Sequence, residues 1–162
     1  MSRLDSFIRR MNAQRDCLNF AAAIIKNTPG SVVELGLGNG RTYDHLRSLL
    51  PDRDIYVFDR HVKAHPDCIP DTEHMIVGDF LETVPAAHQH MKSKAVLAHC
   101  DIGSGDKEAS VTLARMLADS LPKLLAPGAV IVSDQPFDVA NWQPWPLPEG
   151  VAAGRYHLYR QL

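Results

Sequence analysis

The chain has 162 residues, 45% of them apolar, and a formal charge of −2, enough for one hydrophobic core but not for a separate substrate-recognition domain beside it. Acidic and basic residues are interspersed, so no basic stripe exists to follow a phosphate backbone, and nucleic acid is disfavoured as a partner. Cys17, Cys68 and Cys100 form no CxxC pair, and the apolar run Leu18 to Ile25 is too short to span a bilayer; a reduced, cytoplasmic protein with no export signal and no membrane partner is expected.

Residues 1–28 form an N-terminal helical segment. Ser2-Arg3-Leu4-Asp5 resembles a capping box with Asp in place of Glu, and Leu4, Phe7, Ile8, Met11, Leu18, Ala22 and Ile25 recur at helical spacing. This predicts a helix from about Ser2 to Lys26, broken near Asn12 and stopped by Thr28-Pro29-Gly30. Ser31 to Leu35 is a short β-branched run that leads straight into glycines, as a buried first strand does.

The same grammar repeats. Arg41 to Leu50 reads as a helix, Asp54 to Phe58 as a second strand, His74 to Val77 as a third, and Phe80 to Lys92 as a weaker helix. Lys94 to His99 is a fourth strand, Lys107 to Leu125 a helix with Val111, Ala114, Leu117, Leu121 and Leu124 on one face, and Ala129 to Ser133 a fifth strand. A Pro- and Trp-rich loop, 136–153, precedes a last strand from Arg155 to Arg160. Strands alternating with helices, each strand continuously apolar, predict a doubly wound, mostly parallel α/β sheet with helices on both faces and an antiparallel C-terminal strand. The whole chain, 1–162, is expected to be one domain, with its ligand beyond the carboxyl ends of the strands.

The segment Glu34-Leu35-Gly36-Leu37-Gly38-Asn39-Gly40 lies where the first strand meets the next helix, and alternate glycines allow a sharp turn and a close approach to a ligand. A GxGxxG dinucleotide fingerprint fails, because Arg41 stands where its third glycine is required. Asp59 ends the second strand nineteen residues after Gly40, a place where a carboxylate can accept both hydroxyls of a ribose. Gly78-Asp79 ends the third strand, followed by Phe80, and Asp101 ends the fourth.

The ExGxGxG form and these acids in order resemble the class I S-adenosylmethionine-dependent methyltransferases, over roughly Ser31 to Gln135, with a Rossmann-like fold. The resemblance implies that Glu34, Gly36, Gly38 and Gly40, with Arg41 or Thr42, hold the amino-acid end of S-adenosylmethionine. It implies further that Asp59 takes the ribose and that Asp79 and Phe80 take the adenine, with His61 beside the base. Asp101 faces the methyl group as the expected catalytic residue, and Ser104 or Asp106 caps the helix that follows.

Asp134 ends the fifth strand on the same rim as Asp101. The pair resembles, more weakly, the metal sites of catechol-type O-methyltransferases and the macrocin O-methyltransferase group, in which an acid is followed by a second acid or a short amide. Here Gln135 replaces that group and the interval is longer by about two helical turns, so no metal ligand is assigned, and magnesium stays a lesser alternative. Of eight histidines, His88 and His90 do not share a helical face, and His65 reads as solvated. His99 reads as a core or rim side chain with a secondary candidacy for proton removal. Arg9, Arg10 and Arg15 read as a solvated face unless the first helix crosses the cofactor mouth.

Trp142 and Trp145 could form a lid, pack on the sheet, or fill a subunit interface. The last is preferred, as a homodimer or homotetramer that completes the substrate pocket. Motifs for exocyclic-amine and cytosine C5 nucleic-acid methylation are absent at the fourth strand, which leaves a small-molecule oxygen or nitrogen acceptor. Two alternatives stay open: a non-catalytic methyltransferase-like interaction module and a nucleotide-dependent oxidoreductase.

Overall fold

The computed structural model describes residues 1–162. Helix α1, Arg3–Ile24, opens with the capping box: Ser2 Oγ accepts from the Asp5 amide at 3.0 Å while Asp5 Oδ2 accepts from the Ser2 amide at 3.0 Å. The helix runs unbroken through Asn12, which points to solvent and has no backbone to compete for. Strand β1, Ser31–Leu35, is buried throughout. It is followed by α2 (Arg41–Leu49), β2 (Ile55–Asp59), β3 (Met75–Val77), α3 (Phe80–Ala86), β4 (Ala95–Cys100), α4 (Lys107–Leu117), β5 (Leu125–Ser133), β6 (Trp142–Pro144) and β7 (His157–Gln161).

These strands form one seven-stranded sheet in the order β3-β2-β1-β4-β5-β7-β6. The first five are parallel; β7 runs antiparallel to β5 and β6 antiparallel to β7. The expected doubly wound architecture is therefore observed. Each face of the sheet carries its own apolar cluster. Ala13, Cys17, Leu18 and Ala21 of α1 and Leu46 of α2 cover Val32, Val57, Leu97 and Val130 on one side. Val84 of α3 and Ala114 and Leu117 of α4 cover Val33, Phe58, Ala98 and Ile131 on the other. The strand order reverses between β1 and β4, which opens a crevice at their carboxyl ends.

Three boundaries in particular differ from the sequence-based expectation. The helix expected to reach Leu125 stops at Leu117, because Pro122 lacks the amide that another helical turn needs; Leu121–Leu124 forms a 3₁₀ turn instead. Strand β5 consequently begins at Leu125, four residues earlier than expected, with its pairing to β4 shifted across Gly128. Pro85 similarly ends α3 within seven residues, and Ala87–Gln89 continues as a 3₁₀ turn.

The Pro- and Trp-rich loop contains an edge strand that the sequence did not reveal. Trp142 on β6 is buried, packs between Phe137 and Tyr159, and donates from Nε1 to Gln161 Oε1 at 3.0 Å. Trp145 is half-buried, with the Arg160 guanidinium over its ring. Packing on the sheet thus replaces the expected interface or lid for Trp142, since a ring already covered within its own chain offers little surface to a partner. No helix is long and apolar enough to cross a membrane.

Candidate active site

Two adjoining cavities occupy the crevice, and Asp59 lines both. The smaller, of about 360 Å³, is bounded by Gly36, Gly38, Arg41 and Thr42 on one side, Asp101 and Gly103 on another, and Phe7, Arg10, Met11 and Gln14 of α1. The larger, of about 710 Å³, is bounded by Asp59, Arg60, Asp79, Phe80 and Ile102, and extends along Ser110, Leu113 and Met116 of α4. The α1 residues are the part that sequence reasoning did not foresee, apart from Arg10. Their signal was an apolar stripe, Phe7 and Met11, continuing into a polar Gln14 on one helical face.

The three glycines of the loop have three different reasons. A Cβ on Gly36, whose φ is +99°, would collide with the Asp101 backbone carbonyl. One on Gly40, φ +83°, would strike Cys68 and Ala64 behind the loop. Only at Gly38, φ +52°, would a Cβ meet open space, so the left-handed backbone and not a neighbouring group calls for glycine there. Gly40 lines neither cavity and serves packing, as does Gly78, whose Cβ would crowd Thr83.

The acids at the strand ends are placed as expected, but the backbone already engages most of them. Asp59 Oδ2 accepts from the amides of Leu37 at 2.8 Å and Gly38 at 3.2 Å, and Oδ1 from that of His61 at 3.2 Å. Three of roughly four acceptor positions are therefore filled, and the carboxylate fixes the glycine loop from below. His61 contributes this amide, while its exposed ring lines neither cavity. Asp79 caps α3 through the Leu81 amide at 2.9 Å and pairs with Arg60 at 2.6 Å. The Leu81 amide and then the Arg60 guanidinium hold its carboxyl below the usual range.

Asp106 caps α4 by accepting from the Ala109 amide at 3.0 Å, which leaves Asp101 free of that task. Asp134 Oδ1 and Oδ2 accept from the amides of Ile102 at 3.1 Å and Gly103 at 2.9 Å. Both of its oxygens thus tie down the loop after β4. Burial first, and then the neighbouring Asp101 charge, push the Asp134 carboxyl upward.

Glu34 departs most from its expected place. It is fully buried in β1 beside its register partner His99 on β4, with Oε1 2.8 Å from His99 Nδ1, and it lines neither cavity. In this structure the side chain is enclosed in the sheet's α1-facing core. Burial alone would pull the His99 imidazole down, but the Glu34 carboxylate overrides it and holds His99 above the ordinary histidine value. Glu34 Oε2 is buried with no hydrogen-bond partner among the protein's own groups. Burial also pushes the Cys17 thiol up to about 12 and the Cys100 thiol upward, which removes both from consideration as thiolate nucleophiles.

The sheet order, the glycine loop after β1 and the acids at the ends of β2, β3 and β4 define a class I methyltransferase. A sequence model of an S-adenosyl-L-methionine methyltransferase family matches residues 1–161, and the chain belongs to that family and is an S-adenosylmethionine-dependent methyltransferase. The match includes α1 and the C-terminal strands, well beyond the Ser31 to Gln135 segment that carried the resemblance. The crystal structure of an S-adenosyl-L-methionine methyl transferase from Silicibacter pomeroyi DSS-3 is 42% identical with a TM-score of 0.93, over 100% of this chain and 99% of that one. More distant likenesses, which show the fold alone, include TrmN from Thermus thermophilus at 15% identity and TM-score 0.62, over 90% of this chain and 48% of that one. Another is the putative methyltransferase yhhF from Escherichia coli, at 15% identity and TM-score 0.60, over 93% and 86%. No curated protein matches the sequence. Family membership sets aside the oxidoreductase alternative, in keeping with the failed dinucleotide fingerprint.

Proposed function

We propose that the chain methylates an oxygen or nitrogen atom of a small molecule, held beside Asp101 in the smaller cavity. One observation carries this reading: Gly38, the start of α2 and Asp101 converge on a single cavity that joins a second, larger one at Asp59. The residues present fit S-adenosylmethionine. Gly38 leaves open space, and Gly40 gives α2 no side-chain cap, so its first amides, with Arg41 and Thr42, suit a carboxylate. Asp59 keeps an acceptor position for a ribose hydroxyl, and Phe80 offers a flat apolar surface for the adenine, with Asp79 and Arg60 at its rim. When bound, the cofactor supplies an electrophilic methyl group on a sulfonium.

The chain's own part is to position the acceptor and exclude water. Asp101 orients an O–H or N–H of the acceptor and takes its proton, and Phe7 and Met11 of α1 cover the approach. Asp134 serves as scaffold, since its oxygens are spent on the Ile102 and Gly103 amides, and the mechanism invokes no magnesium. An interspersed surface charge supports a small acceptor over a nucleic acid, and three unpaired cysteines fit a cytoplasmic setting. The exposed Leu4, Phe7 and Ile8 beside the cavity are the remaining support for a homodimer or homotetramer.

Calorimetric titration of the purified chain tests the cofactor: saturable binding of S-adenosylmethionine with no response to NADH is expected. Asp101→Asn is expected to retain S-adenosylhomocysteine binding and to lower turnover of the acceptor roughly 100-fold. Unchanged turnover in that variant would remove Asp101 from the reaction.

A further inference from the structure

Between the buried Glu34 and the rim Asp101 lie three side chains that the methyl-transfer reading does not use. Gln14 Nε2 is 3.2 Å from Asp101 Oδ2 and 2.7 Å from the Tyr156 hydroxyl oxygen. That hydroxyl is 3.3 Å from His99 Nε2, and His99 Nδ1 is 2.8 Å from Glu34 Oε1. Gln14, Tyr156, His99 and Glu34 are all buried, and they come from α1, the approach to β7, β4 and β1.

The polarity of this chain follows from its ends. Both termini are carboxylates, which only accept, so a donor must face each of them. His99 donates to Glu34 from Nδ1 whether or not the ring carries its second proton, and its Nε2 meets the Tyr156 hydroxyl. The Tyr156 oxygen then accepts from Gln14, whose amide nitrogen has two hydrogens and can donate to Tyr156 and Asp101 at once. A primary amide is the group that can stand between these two acceptors, and neither a carboxylate nor a hydroxyl at position 14 supplies two donors.

We infer that Gln14 and Tyr156 are positioning residues, which, braced by His99 and Glu34, aim the Asp101 carboxylate at the sulfonium end of the bound cofactor. The inference rests on the proposed reading of the smaller cavity. Its components meet only across the fold, since Gln14 and Tyr156 are 142 positions apart. Asp101 lines the cavity together with Arg10 and Arg41, so a carboxylate left to rotate has cations of the same cavity to turn toward.

S-adenosylmethionine and S-adenosylhomocysteine differ by the methyl group and the sulfonium charge, so the ratio of their affinities reads the aim of Asp101. In the wild-type chain, calorimetry at neutral pH is expected to give saturable binding of both. Gln14→Leu is expected to weaken S-adenosylmethionine on the order of fivefold while leaving S-adenosylhomocysteine within twofold, and Tyr156→Phe to act in the same direction more weakly. A residue that merely supports the fold would lower both affinities together. Equal loss for both ligands, or no loss for either, in variants with wild-type melting curves overturns the chain while leaving the cavity reading intact. If the wild-type chain binds neither ligand, the cavity reading falls and the inference with it. Should Gln14→Leu fail to fold, Tyr156→Phe, which keeps the buried ring, carries the test on the same ratio.

Discussion

At the scale of single residues, the glycine loop separates two demands that a motif reads as one. Gly36 is required because the end of β4 leaves no room for a Cβ, whereas at Gly38 a Cβ would meet only open space, where the proposed cofactor would approach. Gly36→Ala is therefore expected to lower folding stability by roughly 2–3 kcal/mol, through the clash with the Asp101 carbonyl and the left-handed backbone together. Gly38→Ala is expected to cost only about 1 kcal/mol of stability yet to weaken S-adenosylmethionine binding at least tenfold. Urea denaturation and calorimetry on the two variants check the contrast, and the reverse ranking would exchange the roles of the two glycines. Both glycines were legible in the sequence, but which of them is hemmed in by protein was not, because that depends on β4, which lies some sixty positions further along the chain.

At the scale of elements, β6 and β7 convert a Pro- and Trp-rich segment into sheet. Trp142 fills the space between Phe137 and Tyr159, and its indole N–H satisfies Gln161, whose amide nitrogen in turn donates to the Leu125 carbonyl at 2.9 Å. Trp142→Ala is expected to destabilise the chain by about 3–5 kcal/mol with no change in its oligomeric mass. Denaturation and light scattering on the same samples test this, and a stable chain of altered mass would return the tryptophan to an interface. Prolines in the segment concealed the strand, since Pro is tolerated at a sheet edge where its missing amide faces no neighbour. Helix α1 was easier to read: its cap and its 3.6-residue stripe are local features. Its position over the cavity is set instead by packing on β4 and β5.

At the scale of the whole molecule, titration couples distant parts of the sheet to pH. His74 sits between Asp71 at 2.7 Å and Asp54 at 2.8 Å. Burial lowers its pKa, but the two carboxylates outweigh burial and raise it above the usual 6.5. A raised histidine contributes stability that is full below the unfolded value and is lost as pH rises through the folded one. His74→Gln is thus expected to reduce the fall in melting temperature between about pH 6 and pH 8.5, as measured by thermal denaturation across that range. An equal fall in variant and wild type would show that the triad is not linked to folding. His99 has the same sign for the same reason, a carboxylate overriding burial, so part of the fall is expected to persist in the variant.

Periodicity of 3.6 or 2, helix stop signals and glycine spacing act within a few residues, and they determined the order of strands and helices, the loop after β1 and the acids at four strand ends. The methyltransferase class came from the resemblance of the ExGxGxG loop and those acids, in that order, to a known family, and the fold places their strand ends along one rim. Tertiary structure decided how each acid is used. Asp59 and Asp134 give their oxygens to loop amides, Asp79 to Arg60 and a helix cap, and Asp101 alone among them is held by a side-chain amide from α1. It also turned Glu34 inward to His99 and brought Gln14 to Tyr156. Such contacts depend on strand register and on which face a helix presents, and both are set by packing between segments that the sequence keeps far apart.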